Sequence, residues 1–140
     1  CAVLGLPVGV GSPDLGCNVE GVLAQHLFAV PAVKGISFGA GFAFASMRGS
    51  AANDPFYMDG GQVKTRTNHS GGVSNGMPVL FQVAIRPTPS IGQEQNTINF
   101  STMEDAKLTI QGRHDPCIVH RAVPVIEAAA ALAICELLGI

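Results

Sequence analysis

Lys34–Arg48, KGISFGAGFAFASMR, decides how the chain is read: Ile36, Phe38, Ala40, Phe42, Phe44 and Ser46 alternate with Ser37, Gly39, Gly41, Ala43, Ala45 and Met47. A period of two is the pattern of a β-strand, here with the large side chains on one face and the small ones on the other. The small face suits a close neighbour, such as a helix, another subunit or a flat ligand, or simple close packing between elements. Upstream, Val19, Val22, Leu23, His26, Leu27 and Val30 recur at three- and four-residue intervals and Pro31 stops the pattern, which predicts a helix over Asn18–Val30. Before it, Cys1–Val10 reads as a short β segment broken at Gly11, Ser12 and Pro13. Downstream, Gly49–Gly76 is rich in loop residues, and a stretch of that length inside a domain is usually functional or mobile. Val79–Ile85 then predicts a strand closed by Pro87 and Pro89, and shorter strands come next at Asn96–Phe100 and Lys107–Gln111, connected through Met103-Glu104-Asp105. An Ala-rich helix is expected over Val123–Leu138. The order β, α, β, loop, β, β, β, α predicts an α+β sandwich.

With 140 residues there is room for one ordinary domain. Charged residues make up 13% of the chain and hydrophobic ones 47%, so charge stands at about half of the roughly 25% usual in soluble domains. A lone monomer would be poorly clothed by so few charges. The net charge of -2 and pI near 6.0 exclude an electrostatic footprint for nucleic acid or an anionic membrane surface. A mean hydropathy of +0.34, with apolar residues spread along the chain, excludes disorder. Val123–Ile140 carries Pro124, Glu127 and Glu136 and is too short and too charged to span a bilayer. The opening CAVLGLPVGVGSP lacks a basic leader and suits a strand and turn better than a signal-peptide core. It begins at Cys1 without Met, as expected of a processed, truncated or excerpted polypeptide. Cys1, Cys17, Cys117 and Cys135 show no close CxxC spacing, so reduced, mostly buried thiols and a cytoplasmic setting are expected.

Gly39-Ala40-Gly41 lacks the third glycine of a dinucleotide fingerprint, and no GxxxxGK[ST] loop occurs. Gly71-Gly72-Val73-Ser74-Asn75-Gly76 has the composition of a nest of backbone N–H groups for an anion or flat heterocycle, or equally of an ordinary loop. Reactive side chains concentrate in Gly112-Arg113-His114-Asp115-Pro116-Cys117. His114, Cys117 and His120 fall short of a closed zinc site, and no metal is expected. Arg113 suits a phosphate or carboxylate and Asp115 a proton relay; alternatively the two form a structural pair capping the last helix. His26, on the apolar stripe, reads as a packing residue.

Five blocks, PAVKGISFGAGF (Pro31–Phe42), MRGSAAND (Met47–Asp54), TNHSGG with VSNGMP (Thr67–Pro78), RPTPSIG (Arg86–Gly92) and GRHDPCIVHRAVPVIEA (Gly112–Ala128), occur in order over nearly the whole chain. Together they closely resemble the C-terminal part of the chorismate synthase family. The resemblance implies 1,4-elimination of phosphate from 5-enolpyruvylshikimate 3-phosphate to give chorismate, with reduced FMN as cofactor and no net redox change. It implies a β-α-β sandwich, helices between two antiparallel sheets, of which this chain would be about half, and a cytoplasmic homotetramer in the shikimate pathway, with NADP also associated with the family. Asp115 matches the family carboxylate near the flavin N5, and Arg113 a residue contacting flavin and substrate. Arg86, Pro87, Thr88, Pro89 and Ser90 match a KPTxS-type loop at the FMN, with Arg86 where Lys is common. Pro31, Ala32 and Gly71 match further FMN-contacting positions.

Two departures accompany the match. The family reads NHAGGIxGGISNG, whereas here Gly72 passes directly to Val73-Ser74-Asn75-Gly76, as though four residues of the flavin loop were missing. The family's N-terminal region, with two catalytic histidines and most phosphate-binding arginines, is absent, and neither His69 nor His114 takes those roles. A non-catalytic oligomeric FMN-binding or scaffold fragment is the alternative that these departures suggest.

Overall fold

The computed structural model of the chain describes residues 1–68 and 71–140, so His69 lies outside the described residues. In chain order the elements are β1 (Ala2–Val3), α1 (Val19–Phe28), β2 (Val33–Phe38), a 3-10 helix (Gly41–Ser46), α2 (Gly49–Ala52), β3 (Tyr57–Asp59), β4 (Gln62–Lys64), β5 (Val79–Ile85), β6 (Gln95–Asn99), β7 (Glu104–Leu108) and α3 (Val119–Leu138). The strand β5 is central, paired antiparallel with β1 on one side and β2 on the other. The ladder from Val33↔Ile85 to Phe38↔Phe81 gives Ile36, Phe38, Phe81 and Val83 to one face, where the Phe38 and Phe81 rings lie 5.9 Å apart. Helices α1 and α3 pack together, and α1 lies against β2. Leu23 and Leu27 of α1 are fully buried in one core with Val33, Val79, Phe81, Ile126 and Ala133, each large side chain stabilising by roughly 1.5–3 kcal/mol. The chain is thus an α+β layer of helices on an antiparallel sheet. Two ribbons, β3–β4 and β6–β7, stand apart from that sheet.

Local signals place both helices. Asn18 Oδ1 accepts from the Gly21 N–H at 2.6 Å and caps the start of α1, a bond worth about 1 kcal/mol. At the other end of the chain α3 finishes in a Schellman motif: Gly139 sits at φ 71°, its N–H donates to Glu136 O, and the Ile140 N–H donates to Cys135 O.

Several expectations change. The strand expected over Lys34–Arg48 stops at Phe38, because Gly39 (φ 55°) and Gly41 (φ 53°) enter the left-handed region and turn the backbone into a 3-10 helix. At Gly41 an added Cβ would meet Ser37 Cβ at 2.7 Å, so the bend needs glycine. The last helix starts at Val119 rather than Val123, with Pro124 inside it; the turn before the proline is initiated by the Arg121 and Ala122 amides donating to Ile118 O. The loop-rich Gly49–Gly76 holds α2 and the β3–β4 hairpin, which turns at Gly60-Gly61. The β7 strand begins at Glu104, so the connection expected at Met103-Glu104-Asp105 shrinks to a turn ending on Met103, at φ 56°. No helix among the described residues is long and apolar enough to cross a membrane.

Candidate functional site

Pairing of β2 with β5 brings the first family block to the fourth. At the end of that ladder the Arg86 N–H donates to Ala32 O at 2.7 Å, so Pro31-Ala32 and the Arg86–Ser90 loop are neighbours. The same loop is joined to the last block: Ser90 Oγ lies 3.1 Å from His114 Nδ1, and His114 Nε2 lies 3.1 Å from Ile110 O. Pro31-Ala32, Arg86-Pro87-Thr88-Pro89-Ser90 and Arg113–Asp115 therefore form one continuous seam along the strand ends. Within it Thr88 Oγ1 is buried with no hydrogen-bond partner among the described residues, a condition that costs about 1–3 kcal/mol unless something else fills it. Arg86 and Arg113 are exposed and take part in no salt bridge among the described residues. An orphaned buried hydroxyl at Thr88, on a seam that also carries the exposed Arg86 and Arg113, fits an anionic, hydrogen-bonding ligand such as FMN.

Asp115 does not pair with Arg113. Its carboxylate is held by Arg121 of α3, Nη1 to Oδ2 at 2.8 Å and Nη2 to Oδ1 at 3.4 Å. A structural Arg–Asp pair at the start of the last helix is thus present with a different arginine, and Arg113 is left available to the seam. Arg121 escaped the sequence reading because six residues separate it from Asp115 across a loop-to-helix junction, a spacing no local rule singles out. The Ser90–His114 bridge, spanning 24 positions, was equally invisible.

Gly71 is placed elsewhere. Its neighbour Gly72 accepts at O from the Val19 N–H, 2.7 Å away, at the start of α1, whereas Pro31-Ala32 lies beyond the end of that helix. Ten residues of α1 separate the two by about 15 Å. The glycine loop is closed by Gly72 at φ 74°, where an added Cβ would lie 2.5 Å from Asn18 Cβ. The amides of Ser74, Asn75, Gly76 and Met77 donate to Val10 O, Asn68 Oδ1, Ser74 Oγ and Asn75 Oδ1, so these four donors are spent within the protein. Asn75 Nδ2 also reaches Thr65 Oγ1 and Thr67 O. Asp54, from the second block, accepts from the Arg66 and Thr67 amides and the Thr67 hydroxyl. The second and third blocks are thereby fastened together.

His26, expected to pack, instead ties α1 to α3 through Nε2, 2.7 Å from Glu136 Oε2. The thiols correct another expectation: Cys1, Cys17 and Cys117 are exposed, Cys135 is half-buried, and all four are free.

Fold and seam together define an α+β domain with an anion-receptive edge where its strands end. A family model described as chorismate synthase matches residues 1–138, and the chain belongs to the chorismate synthase family. It is 49% identical over 141 aligned positions to a chorismate synthase of Dehalococcoides mccartyi, covering 98% of this chain and 38% of that protein. Against those of Archaeoglobus fulgidus and Synechocystis the identities are 44% and 46%, over 94% and 97% of this chain and 37% and 38% of theirs. A crystal structure of chorismate synthase superimposes with a TM-score of 0.72 at 25% identity, covering 98% of this chain and 35% of that one. The chain thus spans little more than a third of the length of these relatives, less than the half expected from its blocks.

Proposed function

We propose that residues 1–140 form the C-terminal, FMN-facing part of a larger chorismate synthase domain, a lyase of the shikimate pathway. The complete protein eliminates phosphate and a proton from 5-enolpyruvylshikimate 3-phosphate to form chorismate, as a cytoplasmic homotetramer. The observation that carries this reading is the seam joining Pro31-Ala32, Arg86–Ser90 and Arg113–Asp115 around the orphaned Thr88 hydroxyl.

Reduced FMN, when bound, supplies transient electron density as the phosphate departs and a ring nitrogen that helps take the proton. The residues of this chain do the rest by position. Arg86 and Arg113 attract the anionic groups of cofactor and substrate, Arg113 with a planar fork suited to two oxygens. Thr88 donates its buried hydroxyl to an acceptor on the ligand. Pro87 and Pro89 stiffen the loop that presents it. Asp115, braced by Arg121, serves as the carboxylate of a proton relay beside the reacting centre. Gly71 leaves backbone exposed at the far end of α1, where it completes the cofactor contact only with other parts of the enzyme.

Phosphate release from 5-enolpyruvylshikimate 3-phosphate with reduced FMN, assayed for the full-length polypeptide, tests the reading. Turnover is expected, and Asp115→Asn should lower it by about 10²–10⁴-fold while sparing FMN binding. FMN binding without turnover by the unsubstituted protein would instead establish the non-catalytic binder.

A further inference from the structure

His114 is held at both ring nitrogens, and its two partners are not equivalent. The Ile110 carbonyl, 3.1 Å from Nε2, can only accept, so the ring must carry its proton on Nε2 to make that bond. A neutral imidazole has one N–H, which leaves Nδ1 with a bare lone pair. The Ser90 hydroxyl, 3.1 Å from Nδ1, must then donate into the ring. A serine whose proton is committed in this way has only oxygen lone pairs left for anything else.

The surroundings confine the ring. His114 and Ser90 are both half-buried, and the ring edge lies against Gly92, where an added Cβ would stand 3.6 Å from Cδ2. Two residues from Ser90, the buried Thr88 Oγ1 lacks any partner among the described residues and keeps its proton to give. Of the two hydroxyls on this loop, that of Ser90 is therefore the one left able only to accept from a ligand.

We infer that His114 is a positioning residue that fixes the sense of the Ser90 hydroxyl, so that Ser90 meets the cofactor as a hydrogen-bond acceptor. The chemical complement is a donor on the ligand, a ring N–H or a sugar-alcohol hydroxyl, both of which a flavin mononucleotide carries. This assignment rests on the FMN reading above and goes beyond it by giving a role to a histidine that makes no direct contact with the ligand.

The test is FMN titration of the full-length protein and its variants, followed by fluorescence, with thermal stability measured alongside. Ser90→Ala and His114→Phe should each weaken FMN binding about tenfold, and the double variant should bind no worse than either single one, since both remove the same relay. His114→Asn, whose amide oxygen replaces Nδ1 as an acceptor, should restore most of the affinity. His114→Gln, whose amide replaces only Nε2, should not. Unchanged binding by His114→Phe, or additive losses in the double variant, overturns the role given to His114. If His114→Phe does not fold, the comparison of Ser90→Ala with His114→Asn decides, and equal losses in the two overturn it. Absence of FMN binding in the unsubstituted protein overturns the cofactor reading itself, and the inference with it.

Discussion

Asp115 sits just before α3 with both carboxylate oxygens occupied by one guanidinium. The pair is solvated, its side chains 65% and 40% exposed for Arg121 and Asp115, so it adds less than about 1 kcal/mol to stability. Its value is orientation: a carboxylate gripped at two points cannot rotate freely, and a proton relay depends on where its oxygens lie. Arg121→Met should therefore leave the melting temperature of the full-length protein within a few degrees of the unsubstituted value while lowering kcat, a combination that parallel melting and turnover measurements would show. Much of the seam was legible at this scale because Arg86, Thr88, Ser90, Arg113 and Asp115 fall inside short blocks that resemble those of the chorismate synthase family. What holds those residues in place was not. Arg121 and the His114 bridge act across chain separations that only the start of α3 and the β6–β7 hairpin, which lies between Ser90 and His114, bring together.

Among the elements, α1 packs on α3, whose Ala129, Ala130 and Ala133 are buried in the core the two helices share. Small side chains let the two helices approach, and Ala133 is fully enclosed there. Ala133→Leu should cost about 1–3 kcal/mol by overpacking, read as a lowered denaturant midpoint in chemical unfolding. The β3–β4 ribbon answers to pH. A hydrogen bond from Lys64 and its charge hold the Asp59 carboxyl below its ordinary 3.8, and the same contacts raise Lys64 above 10.5. A lowered carboxyl contributes stability that is present above 3.8 and lost as pH falls through its folded value; the raised lysine contributes below 10.5 and loses its contribution as pH rises past the raised value. Amide exchange in Tyr57–Lys64, corrected for intrinsic rates, should accelerate on acidification below the Asp59 titration, and Lys64→Met should abolish that acceleration. Periodicity located α1 and β5 because each pattern has an unambiguous stop, Pro31 or Pro87. The same periodicity misled across Lys34–Arg48, where alternation continues through Gly39 and Gly41 although their positive φ ends the strand.

On the scale of the molecule, the accessible surface is 9678 Å², whereas a compact chain of this mass would expose about 6,800 Å². The excess of about 2,800 Å² is in the range of a large permanent interface. Its composition agrees: Phe42 is 93% exposed, Phe100 82% and Leu132, on the outer side of α3, 61%. Scarcity of charge and abundance of bare apolar surface are thus two views of one property. An isolated 1–140 polypeptide should bind an apolar fluorescent dye strongly and self-associate, and the full-length protein should do neither beyond its own assembly; equal dye binding by the two would contradict this.

The helix α1 separates Gly71 from Pro31-Ala32, and a helix has no slack. Adding or deleting residues within it would move the two contacts by about 1.5 Å each time and rotate one against the other by about 100°, whereas the loop at Gly72-Val73 closes against Asn18 without a helix to set its length. Length variation should therefore be tolerated at Gly72-Val73 and rejected within Val19–Phe28, so that α1 acts as a fixed ruler and the glycine loop as the place where drift in length is absorbed.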